Sequence, residues 1–360
     1  MKKALITGAA GFVGSQLAKF LREEGFDLAL VDNLKFGYLD NLLFEDIGGT
    51  EPQGGLANNW RQLNLFSDFH AVDIRSDHIE DLLDGVDTVF HFAGVAPLPV
   101  CQSRPKLAYD INVSGTLNLL EACRKKEVSK FIFSSTSAVY ENTKSDRLTE
   151  SDEIQPDLVY AMTKAAAEKA CASYANTYGM DISIFRFFNV YGPHQDFKRK
   201  SPPFTSYVAR ELAFDRKPTL YNSSRTAKRD YVHSHDLVRL MKIAGETDKR
   251  YNAEIFNVAS GVGYSVPDLY SVLLTISNKS IQPEFCDPEL YWQSYNTLYQ
   301  GTYRLPKDRI EKEVYKQAIG DPTKTLKEFG WETTINAKAG LESVYNFIFN
   351  EKKITKRNPN

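Results

Sequence analysis

The sequence predicts an α/β protein: a doubly wound parallel sheet followed by a smaller, less regular C-terminal lobe. Two observations carry this. Over the first 190 residues, short apolar runs such as Lys3 to Thr7, Leu28 to Val31, Asp87 to Phe92 and Lys130 to Phe133 alternate with helical stretches. Strands joined by crossover helices produce that alternation. The first run also leads directly into Gly8-x-x-Gly11-x-x-Gly14 and then the amphipathic stretch Ser15 to Glu24. In a strand, glycine turn and helix in that order, the backbone approaches a pyrophosphate closely, and the amides and dipole at the helix start hold its charge.

The chain has 360 residues, 42% hydrophobic and 25% charged, ordinary values for a globular protein with a sizeable core. Its 44 basic and 46 acidic residues offer no positive field for nucleic acid or an anionic membrane, so neither is expected as a partner. Ala4 to Ile6 is too short for a membrane span and leads into glycines instead of a cleavage site, which makes a cytoplasmic protein the expectation. Cys101, Cys123, Cys171 and Cys286 lack the paired spacing of a metal site and suit a reducing compartment. No metal is expected, and His233 and His235 are read as structural.

The second strand ends in Asp32-Asn33, roughly twenty residues beyond the glycines, where an acid accepts hydrogen bonds from the adenosine ribose. A carboxylate there repels a 2'-phosphate and favours NAD over NADP. Residues 34–68 read as a long loop; His70 to Ile74 reads as a strand whose Asp73-Ile74 end offers an adenine contact. Small Ala93-Gly94 would let a cofactor lie against the backbone. A long helix is expected over Lys106 to Lys126, carrying Asn112, and the strand after it leads into Ser134-Ser135-Thr136-Ser137. Ligands of such sheets bind beyond the carboxyl ends of the strands, and Gly8, Asp32, Asp73, Ala93 and Thr136 all fall at such ends.

From about Asp157 the composition favours a helix, with Tyr160 and Lys164 one turn apart on the same face. A free tyrosine has a pKa of about 10, and a neighbouring ammonium is the simplest way to make it a base. With 19 tyrosines the pair alone is weak evidence, and Tyr303 and Lys307 repeat the spacing. Pro306 lies inside that second pair, so only the first has a helical context. Beyond Asp181 to Phe188 the alternation becomes irregular. A dinucleotide-binding domain is expected over 1–190, with parts of 230–260 returning to it, a second lobe over 191–350 and a polar tail over 351–360.

Together these residues resemble the extended short-chain dehydrogenase/reductase family, in its branch of NAD-dependent nucleotide-sugar epimerases and dehydratases. The resemblance rests on the glycine motif, Asp73-Ile74, Phe92-Ala93-Gly94, Asn112-Val-Ser-Gly-Thr116, Ser134-Ser-Thr136, Tyr160 with Lys164, Arg186-Phe-Phe-Asn-Val-Tyr-Gly-Pro193, Arg229-Asp-Tyr-Val-His233 and Asp321-Pro-Thr-Lys324. It implies a Rossmann sheet with a C-terminal substrate-binding lobe, and a homodimer through the helix of Tyr160 and the one after Lys106. It assigns Tyr160 as the base, Thr136 to the reacting sugar hydroxyl, and Lys164 to the nicotinamide ribose and to depressing the Tyr160 pKa. Gly8, Gly11, Phe12, Val13, Gly14, Asp32, Asn33, Asp73, Ile74, Phe92, Ala93, Gly94, Asn112, Ser134 and Phe187 are implied to bind NAD. Asn189 and Arg229 are implied at the substrate diphosphate, Arg309 beside them, and Ala318 at a gate that admits 2-acetamido sugars.

The dehydratases of this branch carry Asp-Glu directly after the Thr, whereas this chain has Ser137-Ala138, neither able to transfer a proton as a carboxylic acid does. The expectation is therefore 4-epimerisation of a UDP-sugar by transient C4 oxidation, with dehydratase, decarboxylase or reductase chemistry as the alternative. A regulator that binds NAD without turnover is more remote. Ala96 to Gln102 departs from the family loop beside the nicotinamide, as residues 34–68 do beside the adenosine side.

Overall fold

A computed structural model describes residues 1–44, 63–287, 292 and 294–357. Seven parallel strands form the main sheet: β1 (Lys3–Thr7), β2 (Asp27–Asp32), β3 (Phe69–Ala71), β4 (Thr88–His91), β5 (Lys130–Thr136), β6 (Ile182–Phe187) and, after two strands of a smaller sheet, β7 (Asn189–Tyr191) and β8 (Lys228–His233), the edge strand β9 (Asn252–Val258). Their order is β9-β6-β5-β4-β1-β2-β3, so the chain reverses direction between β1 and β4. In open α/β sheets that switch point is where a ligand lies. Both faces are covered, which is why the central strands are apolar throughout: Ile6, Phe90 and Ile132 pack on one side, Leu5, Val89, Phe131 and Phe133 on the other.

The helices of this part are α1 (Phe12–Glu23), α2 (Leu98–Ser103), α3 (Pro105–Tyr109), α4 (Gly115–Lys125) and α5 (Val159–Tyr178). The helix expected over Lys106 to Lys126 is interrupted: Asp110–Ser114 form a π turn between α3 and α4. Such turns re-aim side chains, and this one carries Asn112. The strand expected over His70 to Ile74 ends at Ala71, which leaves Asp73 and Ile74 in the following turn. The expected loop at 34–68 contains the 3-10 turns Leu39–Leu42 and Phe66–Asp68 and a pair of two-residue strands, Leu43–Phe44 with Leu63–Asn64; residues 45–62 lie outside the described part.

The C-terminal part contributes α6 (Phe204–Ala213), α7 (Ser234–Glu246), α8 (Val266–Ser277), α9 (Lys307–Tyr315), α10 (Thr323–Phe329) and α11 (Ala337–Arg357). Val208, Leu212, Leu269, Leu273, Leu341 and Ile348 give α6, α8 and α11 a shared apolar core. Strand β8 pairs parallel with β7 and antiparallel with β10 (Gly263–Ser265). Helix α7 instead packs against α1, and Leu237, Leu240 and Met241 join the core under the main sheet. The polar tail expected over 351–360 is not separate: α11 runs on through Arg357, since Glu351, Lys352 and Lys353 are good helix formers. The Tyr303 and Lys307 pair is split as Pro306 predicts, with α9 starting only at Lys307. Among the described residues no helix is long and apolar enough to cross a membrane.

Candidate active site

A cleft opens at the switch point. It is lined by Gly8 and Gly11 after β1, Asp32 and Asn33 after β2, Asp73 and Ile74 after β3, and Phe92, Ala93 and Gly94 after β4. Gly8 has φ +69°, and a Cβ there would stand 2.8 Å from the Ala93 nitrogen, so only glycine lets the two strand ends approach this closely. Helix α1 starts at Phe12 with Gly11 as its N-cap, no side-chain cap and no acid in its first turn, so its first amides are left for an anion with no competing carboxylate in that turn. A Cβ on Gly14 would lie 2.2 Å from the Gly8 carbonyl oxygen, which keeps the turn tight. Beneath the cleft, buried His91 joins Thr7 (Nδ1 to Oγ1, 2.7 Å) and Thr116 (Nε2 to Oγ1, 2.9 Å). Burial pushes its pKa down to about 3, so it works as a neutral cross-strand link.

Asp32 accepts from the Ala10 amide (3.1 Å) and the Leu34 amide (2.8 Å), and burial raises its pKa. Asp73 differs from expectation. Its carboxylate is gripped by Arg75 (2.8 and 2.7 Å) and by the Asn33 amide (2.7 Å), which hold its pKa well below the usual range. Asp73 nonetheless lines the cleft, with its side chain partly exposed. The reading of Asn112 also changes. Its two N–H donors go to the Val95 carbonyl (3.1 Å) and Thr163 Oγ1 (3.0 Å), and its oxygen accepts from the Val95 amide (2.7 Å). It ties the loop after β4 to α5 and does not line the cleft. Ser134 donates to the His91 carbonyl (2.8 Å), a bond between β5 and β4. Phe187, at the end of β6, packs against Phe92 at 6.2 Å between ring centroids.

Thr136 ends β5, and Tyr160 lies in the first turn of α5. The Thr136 side chain stands beside the Tyr160 phenol, while its Oγ1 accepts from the Ala138 amide (3.1 Å). Burial pushes the Tyr160 pKa up to about 12, and the neighbouring Thr136 side chain is what lowers it. The expected depression by Lys164 is not what this geometry gives. Lys164 is itself buried, with its ammonium 4.2 Å from the Phe133 ring centroid, and burial takes its pKa down to about 8. Lys164 thus carries a folding cost for its charged form. That cost is present in full below about pH 8 and disappears as pH rises towards the ordinary lysine value of about 10.4. Lys164→Met should therefore stabilise the fold at pH 7 by on the order of 2 kcal/mol and much less at pH 10, measured as thermal melting at the two pH values.

The substrate-side residues are brought together only in part. Asn189 donates to the Asp230 carbonyl (2.7 Å). Arg229 donates to the Glu313 carbonyl, with the Glu313 carboxylate 3.8 Å away. Arg309 is corrected: it turns to Glu141 (2.9 Å) and Asp157 (2.8 Å), away from Arg229. Ala318 bridges to Arg229 through the backbone and is buried with Tyr140, Phe188 and Ala259, so it does not line the nucleotide cleft. Phe36, Gly37, Val72 and Ile111 line the cleft without having been anticipated. Gly37 had a legible signal, a glycine in the loop after Asp32, because a Cβ there would meet Asp32 Oδ2 at 2.8 Å.

Comparison with known proteins follows the same lines. Residues 4–259 match the model of the NAD dependent epimerase/dehydratase family. A UDP-glucose 4-epimerase of Corynebacterium glutamicum is 30% identical over 296 residues, 78% of this chain and 82% of its own length. The crystal structure of a UDP-glucose 4-epimerase from Thermotoga maritima with UDP-glucose superposes with a TM-score of 0.79 at 26% identity, over 98% of this chain and 99% of that one. A UDP-glucuronic acid 4-epimerase from Bacillus cereus, solved with UDP-glucuronic acid and NAD, gives a TM-score of 0.76 at 25% identity over 98% and 99%.

Proposed function

Because the chain belongs to the NAD-dependent epimerase/dehydratase family, we propose that it is a 4-epimerase of a UDP-sugar, UDP-glucose or UDP-N-acetylglucosamine, acting by transient oxidation at C4. The observation that carries this reading is the placing of Thr136, at the end of β5, beside Tyr160 in the first turn of α5, with Lys164 one turn along the same helix, at the carboxyl edge of a sheet whose cleft is lined for a dinucleotide. The fit rests on the Gly8 contact, the uncapped start of α1 and the Asp32 carboxylate; with Gly11, Phe12, Val13 and Gly14 these would hold the pyrophosphate and adenosine ribose.

NAD bound there supplies a reversible hydride acceptor for the sugar C4. Thr136 orients the C4 hydroxyl, and Tyr160 takes its proton and later returns it. The Lys164 ammonium would hold the nicotinamide ribose. Inversion requires the 4-keto sugar to turn over while its nucleotide stays anchored, the part given to Asn189 and Arg229. A dimer through α4 and α5 would cover Leu117, Met162 and Tyr178, which stand exposed on those helices.

A dehydratase reading is disfavoured by the 3-10 turn after Thr136. Ser137 and Ala138 supply no carboxylate, and the next acid, Glu141, is engaged by Arg309 and by the start of α5. The test is proton NMR of purified protein with UDP-glucose, UDP-N-acetylglucosamine and UDP-glucuronic acid in separate tubes. The C4 epimer should form from one of the first two. A 4-keto-6-deoxy product, or turnover of the glucuronic acid alone, overturns the reaction or the sugar assignment respectively.

A further inference from the structure

Helix α5 begins in an unusual way for an element that carries a base in its first turn. Its N-cap is Leu158, which has no acceptor, and no acid lies in the first turn. The first amides of a helix need partners from elsewhere when the N-cap cannot supply them. Here they come from other segments: Glu141 Oε2 accepts from the amides of Asp157 (2.7 Å) and Leu158 (2.8 Å), and Gln102 Oε1 from that of Val159 (3.2 Å). The Glu141 clamp thus closes two residues before Tyr160.

Glu141 is itself held. Its side chain is 2% exposed, and Oε1 lies 2.9 Å from Arg309 Nη2; the same guanidinium has Nε 2.8 Å from the Asp157 carboxylate. These atoms are within ion-pair distance yet lack hydrogen-bond alignment, so charge and not bond direction holds the cluster. Arg309 belongs to α9 of the C-terminal lobe, and α9 also places Glu313 on Arg229 of β8. One short helix therefore touches both the strand of the substrate side and the start of the catalytic helix.

We propose that Glu141 and Arg309 are positioning residues: Glu141 clamps the first turn of α5, and Arg309 anchors that clamp to the C-terminal lobe, so that the lobe sets where the Tyr160 phenol stands against Thr136. The kinetic side of this proposal rests on the epimerase reading; its structural side does not.

The test uses the full chain. Arg309→Met should lower kcat roughly 10- to 100-fold, the scale of a small misplacement of a reacting group, with KM for the UDP-sugar changed less than about threefold. Arg309→Lys should recover most of that loss, because charge without fork geometry is enough at an unaligned contact. Arg309→Met alone strands a buried carboxylate and can fail to fold. The double variant Glu141→Leu with Arg309→Met removes both charges of that contact, should fold with a melt lowered only by the lost helix-start bonds, and should keep the kcat loss. In the same double variant, backbone hydrogen exchange should quicken over residues 157–163 and not elsewhere. Wild-type kcat in the folded double variant, a loss confined to KM, or no recovery with Lys overturns the proposal. If the wild type turns over no nucleotide sugar, the epimerase reading fails, and the exchange measurement decides this one: unchanged protection over 157–163 refutes it.

Discussion

Tyr160→Phe is expected to reduce kcat by about 1,000-fold, within the range of roughly 100- to 10,000-fold that a positioned acid-base group contributes, while NAD content and melting temperature stay near wild type. The variant removes one hydroxyl from a half-buried ring. Thr136 Oγ1 keeps the Ala138 amide as a partner, so little else is disturbed. The pH dependence follows from the two shifted groups. Burial pushes the Tyr160 pKa up to about 12, so only a small fraction is phenolate near neutrality, and kcat should rise with pH through that range. The rise should stop or reverse near pH 8, where Lys164 loses its charge and with it its hold on the nicotinamide ribose. Steady-state rates between pH 6 and 9 check this; a flat profile would show that proton transfer at Tyr160 does not limit turnover.

Arg186→Met should be the most destabilising single change near the site, by about 3–5 kcal/mol, the usual result of removing one member of a buried ion pair. Arg186 forks onto Glu168 (3.0 and 2.8 Å) and donates to the Tyr140 hydroxyl (2.8 Å), which in turn donates to Asn257 (2.9 Å). Ser135 also donates to Glu168. Because Glu168 lies one turn beyond Lys164 on α5, this network fastens α5 to β5 and β6. The variant leaves the Glu168 carboxylate in the core without its cation. Glu168→Met with Arg186→Met should recover most of the stability, since a buried pair replaced by apolar groups is often near neutral. Equal destabilisation of the single and double variants in urea melts would show that packing, not charge, holds the helix.

The parts of this site that were legible in the sequence depend on short-range spacing. Gly8 and Gly14 follow a strand and precede a helix, Asp32 and Thr136 end strands, and Tyr160 and Lys164 sit one turn apart, so the order of elements alone places them. What was not legible depends on where a long or branched side chain finds its partner. Arg309 can reach either the substrate side or Glu141, and only the packing of α9 decides. Asn112 sits in a π turn that no propensity announces, and Asp73 is claimed by Arg75 two residues away. The Tyr160 pKa runs against the simple expectation for the same reason. The distance to Lys164 along the helix could be read, but the depth of burial of both groups could not.

The central claim is that C4 is oxidised and reduced again inside one closed site. The most direct test is to supply the UDP-sugar with deuterium at C4 and follow it in ordinary water by NMR. The epimerised product should carry deuterium at C4 in the inverted configuration, with no net NADH and no incorporation of solvent hydrogen at that carbon. Hydrogen from solvent at C4 of the product would contradict it, because the chemistry would then proceed by deprotonation of carbon and not by hydride transfer.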